Sequence, residues 1–316
     1  MAEVAIAVVS WNTRELLDAC LSSLERDVER GRAEVWVVDN GSSDGSPAMV
    51  RERHSWVHLL EADNVGFGAA VNRVAALTAT PWIAAANADV ELTPGALEAM
   101  LQAGAAHREA GVIAPQLVLG DGQVQHSVHP FPTLTLTLTF NLGLAQAIRA
   151  LGDQLTIEGR WDPTRARTVD WALGAFVLIR REAWDAVGGF DQRQWMYAED
   201  LDLAWRLRRA GWRTWFAPSA VVRHAGAAST SQAWGAQRSE QWMWSTYAWM
   251  LRRRGPAFVR VTALVNVFGA VARAALLTPG VYRDPARFAD RRAEMLEWAR
   301  LHRIGLSRRA SLEQHR

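Results

Sequence analysis

The 316-residue sequence predicts an α/β protein with a mostly parallel sheet, and three observations carry that prediction. Short apolar runs alternate with segments of helical periodicity from the N-terminus onward, the pattern of a sheet wound with helices. Each run stops abruptly at polar residues, as a buried strand does where it leaves the sheet. The clearest stop is Trp82 to Ala86, which ends in Asn87, Ala88 and Asp89. Open α/β sheets bind ligands at the carboxyl ends of their strands, so Asp89 is placed where a metal carboxylate would be useful. Taken alone, Asn-x-Asp more often caps a turn.

Val4 to Val9 reads as the first strand, followed by Ser10, Trp11 and Asn12. Leu16, Leu17, Cys20, Leu21 and Leu24 then recur at helical spacing. Glu34 to Val38 is the next strand, ending at Asp39, and the turn DNGSSDGS leads into a helix around Pro47 to Arg53. Val57 to Leu60 gives a third strand, Val65 to Leu77 a helix, and Trp82 to Ala86 the fourth strand. A helix carrying Leu97, Met100 and Leu101 precedes a strand near Val112 and Ile113.

From about Gly120 to Asp170 the sequence is irregular, with Pro130, Pro132, Pro163 and the polar/apolar alternation TLTLTLTF; so long a stretch inside a domain points to function or mobility. Ala175 to Ile179 resumes the strand pattern, and Glu199 to Arg209 reads as a helix closed by Gly211. Trp215 to Ala217 and Ala220 to Arg223 read as two terminal strands. From about Ser231 the character is helical, with Trp234, Trp242, Trp244 and Trp249 clustered. Two domains are therefore expected, 1–230 and 231–316.

Charge is unevenly shared. From Arg252 to Arg316 there are fourteen arginines against five acids, a net +9, which leaves −7 on the rest of a chain whose total is +2. A basic, Trp-rich tail on an acidic body suggests an anionic surface partner; the excess of Trp favours a lipid interface over nucleic acid, and no nucleic-acid partner is expected. The segment AFVRVTALVNVFGAVARAALL is interrupted by Arg260 and Arg273, leaving an apolar core read as too short to span a bilayer. Lying on a membrane and packing as a helical cap fit this composition equally.

Every basic residue is Arg, which excludes Schiff-base and lysine-based phosphate chemistry. Cys20 is the only cysteine, so intrachain disulfides and thiolate metal clusters are excluded and a reducing cytoplasm fits. VAIAVVS reads as a strand rather than a signal peptide, so the mature chain is expected to begin here.

Three clusters carry chemistry. A carboxylate at Asp39 can accept the imide N–H of uracil or thymine. NVGFGAAVN sets Asn64 beside Gly66 and Gly68, with Asn72 on the ensuing helix; without a third glycine and a correctly spaced acid it is no dinucleotide fingerprint. YAEDLDLAWRLRRAGW puts Glu199, Asp200 and Asp202 at a helix start flanked by Trp195 and Tyr197, either as plain capping or as a sugar site with a general base. His224 stands where Val221, Val222 and Arg223 run out, and with a carboxylate and a diphosphate it would suit Mn²⁺ or Mg²⁺.

The ordered series VVSWN, VVDNGSSDGS, NVGFGAAVN, NADVEL, GAFVLIRREAWDAVGGFD, YAEDLDLAWRLRRAGW and VVRHAG resembles glycosyltransferase family 2 with its GT-A fold, and most of all its rhamnosyltransferase branch. The resemblance covers about Val4 to Thr230. It implies that Ser10, Asp39, Asn64, Gly66 and Asn87 contact the nucleotide sugar. Asp89 would join them and, with His224, hold Mn²⁺ or Mg²⁺. Asp200 would be the base, with Glu199 positioning the acceptor or substituting, and Trp195, Tyr197, Trp171 and Gly174 would line the acceptor or sugar. Asn87 replaces the first acid of the D-x-D pattern.

The activity implied is inverting, metal-dependent transfer, with L-rhamnose from dTDP-rhamnose as donor or a UDP-sugar as the alternative. The acceptor implied is a glycan or polyprenyl-linked precursor of the bacterial envelope, at the cytoplasmic face of the plasma membrane. A sugar nucleotidyltransferase would need a basic, Gly-rich phosphate loop that VVSWNTREL lacks. An inactive sugar-nucleotide sensor is disfavoured by Asp89, Asp200 and His224 occurring together.

Overall fold

In the computed structural model, which describes residues 2–226 and 237–308, the first four apolar runs form strands Val4–Ser10 (β1), Ala33–Asp39 (β2), His58–Glu61 (β3) and Trp82–Asn87 (β4). They lie parallel in the order β3-β2-β1-β4, joined through helices Arg14–Glu29 (α1), Ser46–Arg53 (α2) and Phe67–Leu77 (α3). Val4, Ile6 and Val8 alternate along β1 and are fully buried, as are Leu17, Cys20, Leu21 and Leu24 on the inward face of α1. Ala84, Ala85 and Ala86 are also wholly buried. A strand covered on both faces reads as a continuous apolar run, which is why β4 is legible without alternation.

Val90–Leu92 (β5) follows at once, then helix Ala96–Ala106 (α4) and strand Ala110–Val118 (β6). The sheet continues past β4 with Phe176–Arg180 (β10), antiparallel to both neighbours, then β6, Arg213–His224 (β11) and β5 at the edge. Arg167–Val169 (β8) pairs with β11, completing nine strands, while Val128–His129 (β7) and Trp171–Ala172 (β9) make a separate two-stranded sheet. Helices Arg181–Val187 (α8) and Glu199–Arg209 (α9) complete this unit, which comprises Met1–Phe131 and Asp162–Ala233.

The second unit comprises Pro132–Trp161 and Trp234–Arg316. It contains Leu134–Asn141 (α5), Leu144–Ala147 (α6), Arg149–Gln154 (α7), Arg238–Arg254 (α10), Pro256–Arg283 (α11) and Pro285–His302 (α12), ending in a 3-10 turn, Arg303–Leu306. Tyr247 and Trp249 of α10 are fully buried, and the Tyr247 hydroxyl lies 2.9 Å from His302 Nδ1. The expected boundary at 230/231 and Trp234 lie outside the described residues.

Three expectations are corrected. The TLTLTLTF alternation, a strand signal, forms α5: the Thr133 side chain caps the helix by accepting from Leu136 N, and Thr137 Oγ donates to the Thr133 carbonyl. With α6 and α7, much of the stretch read as irregular is helical. The two terminal strands are one strand, β11, whose pairing with β6 shifts between Ala217 and Val221. Arg260 and Arg273 do not interrupt α11, a continuous 28-residue helix that is long and apolar enough to cross a membrane. Arg260 donates to the Gly305 carbonyl and Arg273 to Asn141 Oδ1, so each guanidinium has a hydrogen-bond acceptor inside the unit.

Candidate active site

Parallel register builds the first wall. Ser10 pairs with Asp39, and Val9 with Asn87, so the carboxyl ends of β1, β2 and β4 finish side by side. Asp39 is buried, and its Oδ1 accepts from Gly41 N (3.2 Å) and Ser42 N (2.8 Å), an Asx turn that opens the loop after β2. Its Oδ2 is buried with no hydrogen-bond partner among the described residues. Asn12 stitches this loop to the one after β1: its N donates to Ser42 Oγ and its Oδ1 accepts from Ser43 N, at 2.9 and 2.7 Å. Ser10 Oγ bonds Thr13 Oγ1 at 3.2 Å, and Asn64 Oδ1 accepts from Gly66 N at 3.2 Å.

The edge pairing builds the second wall. β5 runs antiparallel to the end of β11, with His224 opposite Val90, and Ala225 N donates to the Asp89 carbonyl at 2.9 Å. Both side chains are buried, and His224 Nε2 lies 3.3 Å from Asp89 Oδ1 without forming a hydrogen bond. The other ring nitrogen, Nδ1, lies 2.8 Å from Gln125 Oε1. A buried carboxylate facing an imidazole nitrogen fits a divalent cation. Among the described residues no group of three or more His, Cys, Asp or Glu is gathered to hold a metal. A cation here needs a diphosphate or water to complete its shell.

α9 supplies the third wall. Tyr197 and Ala198 both adopt left-handed backbone, at φ +63° and +61°, which turns the chain sharply into the helix and presents Glu199 and Asp200 in its first turn. Asp200 Oδ2 accepts from Gly174 N at 3.0 Å and Oδ1 from Leu201 N at 2.7 Å. On its other side lies a small cavity lined by Val112, Ala172, Val177, Phe190, Leu203 and Thr214. Desolvation there outweighs the two backbone bonds and pushes the Asp200 carboxyl above the usual carboxylate range. Glu199 is buried, its Oε2 has no hydrogen-bond partner among the described residues, and burial followed by the adjacent Asp200 charge pushes it up as well. Asp202 turns away: it is buried against Arg206, 2.7 Å from Nε, as a structural ion pair.

Hydrogen bonds between short backbone segments join these walls. Asn87 N donates to the Ala175 carbonyl at 2.8 Å, and Gly174 N, one residue earlier, holds Asp200. Gly66, at φ +83°, packs directly under Trp195, whose carbonyl accepts from Phe67 N at 3.3 Å. Asn64, Gly66, Asn87, Gly174, Trp195 and Asp200 are thus tied into one framework. Trp171 is set apart, its indole N–H donating to the Pro130 carbonyl at 3.1 Å and its ring against His129.

Sequence reasoning missed Gln125, and it left Asn72 without a task. The Asn72 amide clamps Phe190 by donating to its carbonyl and accepting from its N–H, both at 2.9 Å, which holds the GGFD loop to α3. The pairing of NVGFGAAVN with GGFDQ was the available signal. For Gln125, in a Gly-rich turn 99 residues from His224, there was none.

Chemically, the walls offer a buried acceptor oxygen at Asp39, a carboxylate facing an imidazole at Asp89 and His224, and a carboxylate of raised basicity at Asp200. A family model described as glycosyltransferase like family 2 matches residues 2–245. The chain is 34% identical over 244 residues to the N-acetylglucosaminyl-diphospho-decaprenol L-rhamnosyltransferase of Mycobacterium tuberculosis, covering 72% of this chain and 77% of that protein. It is 35% identical over 100 residues to rhamnosyltransferase WbbL of Escherichia coli (strain K12), covering 31% of this chain and 34% of that one. The mannosyltransferase PcManGT from Pyrobaculum calidifontis, solved with GDP-Man and Mn²⁺, shares the GT-A fold at a TM-score of 0.59 and 18% identity, over 96% of this chain and 85% of that chain. The protein belongs to glycosyltransferase family 2 and is a rhamnosyltransferase-like glycosyltransferase with the GT-A fold and a C-terminal helical region.

Proposed function

We propose that this enzyme transfers L-rhamnose from dTDP-rhamnose, with inversion, to a polyprenyl-linked glycan precursor of a bacterial cell envelope. The observation that carries the reading is the bond from Asn87 to Ala175, which ties the strand leading to Asp89 to Gly174, the residue that holds Asp200. A diphosphate at Asp89 and an acceptor hydroxyl at Asp200 would then be addressed by one stretch of sheet. The lipid-linked acceptor is suggested by the Mycobacterium tuberculosis relative, whose name specifies an N-acetylglucosaminyl-diphospho-decaprenol.

In this scheme Asp39 Oδ2 accepts the imide N–H of the base, and Ser10 and Asn64 face the nucleoside. The imide is common to thymine and uracil, so a UDP-sugar is the second reading of the donor. The acceptor oxygen attacks the anomeric carbon from the face opposite the nucleotide while Asp200 takes its proton. Asp200 is suited to this because burial has raised its basicity towards neutral pH. Glu199, kept neutral by burial, orients the acceptor, and Trp195 and Tyr197 offer the sugar apolar faces. Mn²⁺ or Mg²⁺ held by Asp89 and His224 would neutralise charge on the departing diphosphate.

The C-terminal region 231–316, which supplies the larger part of the second unit, is read as a peripheral membrane contact at the cytoplasmic face, with 1–230 as the catalytic domain. Val261, Leu264, Phe268, Val271 and Leu276 form an exposed apolar stripe along α11, while Val259, Ala263, Ala270 and Ala274 bury the opposite side. One apolar face beside arginine-rich helix ends suits a helix lying in the interface better than one surrounded by lipid. Incubation with dTDP-rhamnose, Mn²⁺ and a polyprenyl-diphospho-GlcNAc tests the whole reading by mass spectrometry. A product heavier by one deoxyhexose supports it; turnover only with a UDP-sugar overturns the donor, and full activity on water-soluble acceptors with no binding to anionic vesicles overturns the membrane contact.

A further inference from the structure

Gln125 is placed by its backbone. Its N–H donates to the Leu117 carbonyl at 2.9 Å, Val118 bridges Val124, and Leu119 N donates to Gln123 O, so a tight hairpin extends the end of β6. In the sheet Leu117 pairs with Val222 and Val118 with Arg223. The hairpin therefore brings Gln125 beside the next residue of β11, His224, with Oε1 2.8 Å from Nδ1.

An amide oxygen only accepts, so Nδ1 must carry the hydrogen, and in a neutral imidazole the Nε2 lone pair is then left facing Asp89. The 3.3 Å contact between Nε2 and Asp89 Oδ1, which is not a hydrogen bond, agrees with two acceptors facing each other across a cation position.

We infer that Gln125 is a positioning residue that locks His224 as its Nδ1–H tautomer and aims Nε2 at the cation site. The inference rests on the metal reading proposed above. Partners of this kind, acting through a ligand's far nitrogen, commonly change metal affinity by about 10–100-fold.

The test uses the full-length protein and Gln125→Leu, Gln125→Glu and His224→Gln. Nitrogen-15 histidine spectra of the metal-free protein, well above the ordinary imidazole pKa of about 6.5, report the tautomer, with His224→Gln assigning the signal. Calorimetry with Mn²⁺ and dTDP reports affinity, and thermal unfolding checks that each variant folds. Wild type should show the Nδ1–H form, Gln125→Leu should lose it and bind Mn²⁺ about 10–100-fold more weakly, and Gln125→Glu, which restores an acceptor, should recover the affinity. An Nε2–H signal in wild type, or unchanged Mn²⁺ affinity in Gln125→Leu, overturns the inference. Absence of Mn²⁺ binding in wild type would instead overturn the metal reading, and the tautomer spectra would still decide the role of Gln125.

Discussion

Gly66 and Trp195 meet backbone to backbone: the Trp195 carbonyl accepts from Phe67 N at 3.3 Å, and a Cβ on Gly66 would overlap that same oxygen. The backbone of Gly66, φ +83° and ψ 169°, lies in a region open in practice only to glycine. Gly68, two residues on, leaves room for the Phe190 ring in the same way.

Gly66→Ala therefore combines strain with a displaced Trp195 loop. Urea unfolding should show a loss of about 1–3 kcal/mol, and KM for the acceptor should rise. Wild-type stability together with wild-type KM would show that the two loops do not depend on each other.

Asn72→Ala removes both bonds to Phe190 and leaves two backbone groups without their partner. The expected loss is about 2–3 kcal/mol by chemical denaturation. Nucleotide affinity should change less than the acceptor KM, because the loop it releases leads to α9 and not to Asp39.

Asp200→Asn keeps the shape and loses the proton acceptor. Transfer should fall by about 10²–10⁴-fold, with dTDP affinity unchanged by calorimetry. Activity within a few-fold of wild type would remove Asp200 from the chemistry.

The acidic pair also sets the pH response. Asp200 works ionised and its pKa is raised, so kcat/KM should fall on acidification with a midpoint well above the ordinary aspartate value of about 3.9. For Glu199 the raised pKa means that folding favours its neutral form. Its contribution to stability is full at low pH and is lost as pH rises through the folded-state pKa. Glu199→Gln should match wild type at acidic pH and be the more stable protein at alkaline pH. Parallel stability curves for the two proteins would refute the assignment.

The strand ends were legible because burial on both faces leaves uninterrupted apolar runs whose polar stops mark the sheet edge: Ser10, Asp39, Asn87 and His224 all emerged this way. The misreadings share a cause, which is that a local pattern was asked to report a distant partner. Thr and Leu alternate in α5 as they would in a strand, yet Thr133 caps a helix and Thr137 bonds back to it. Arg260 and Arg273 looked like breaks because the acceptors that satisfy them, Gly305 O and Asn141 Oδ1, lie 45 and 132 residues away. Trp215 to Ala217 and Ala220 to Arg223 looked like two strands, but both belong to β11, and Pro218 between them sits within its register shift, where proline is tolerated.

That register shift has a consequence for the end of β11. Between Ala217 and Val221 the chain advances four residues while its partner advances one, from Pro115 to Gln116. An even step against an odd one reverses which face each later side chain occupies. The short segment from Pro218 to Ala220 thus acts as a reading-frame correction written in three dimensions. A slip of β11 by one residue along β6 from Val221 onward would turn His224 to the far side of the sheet.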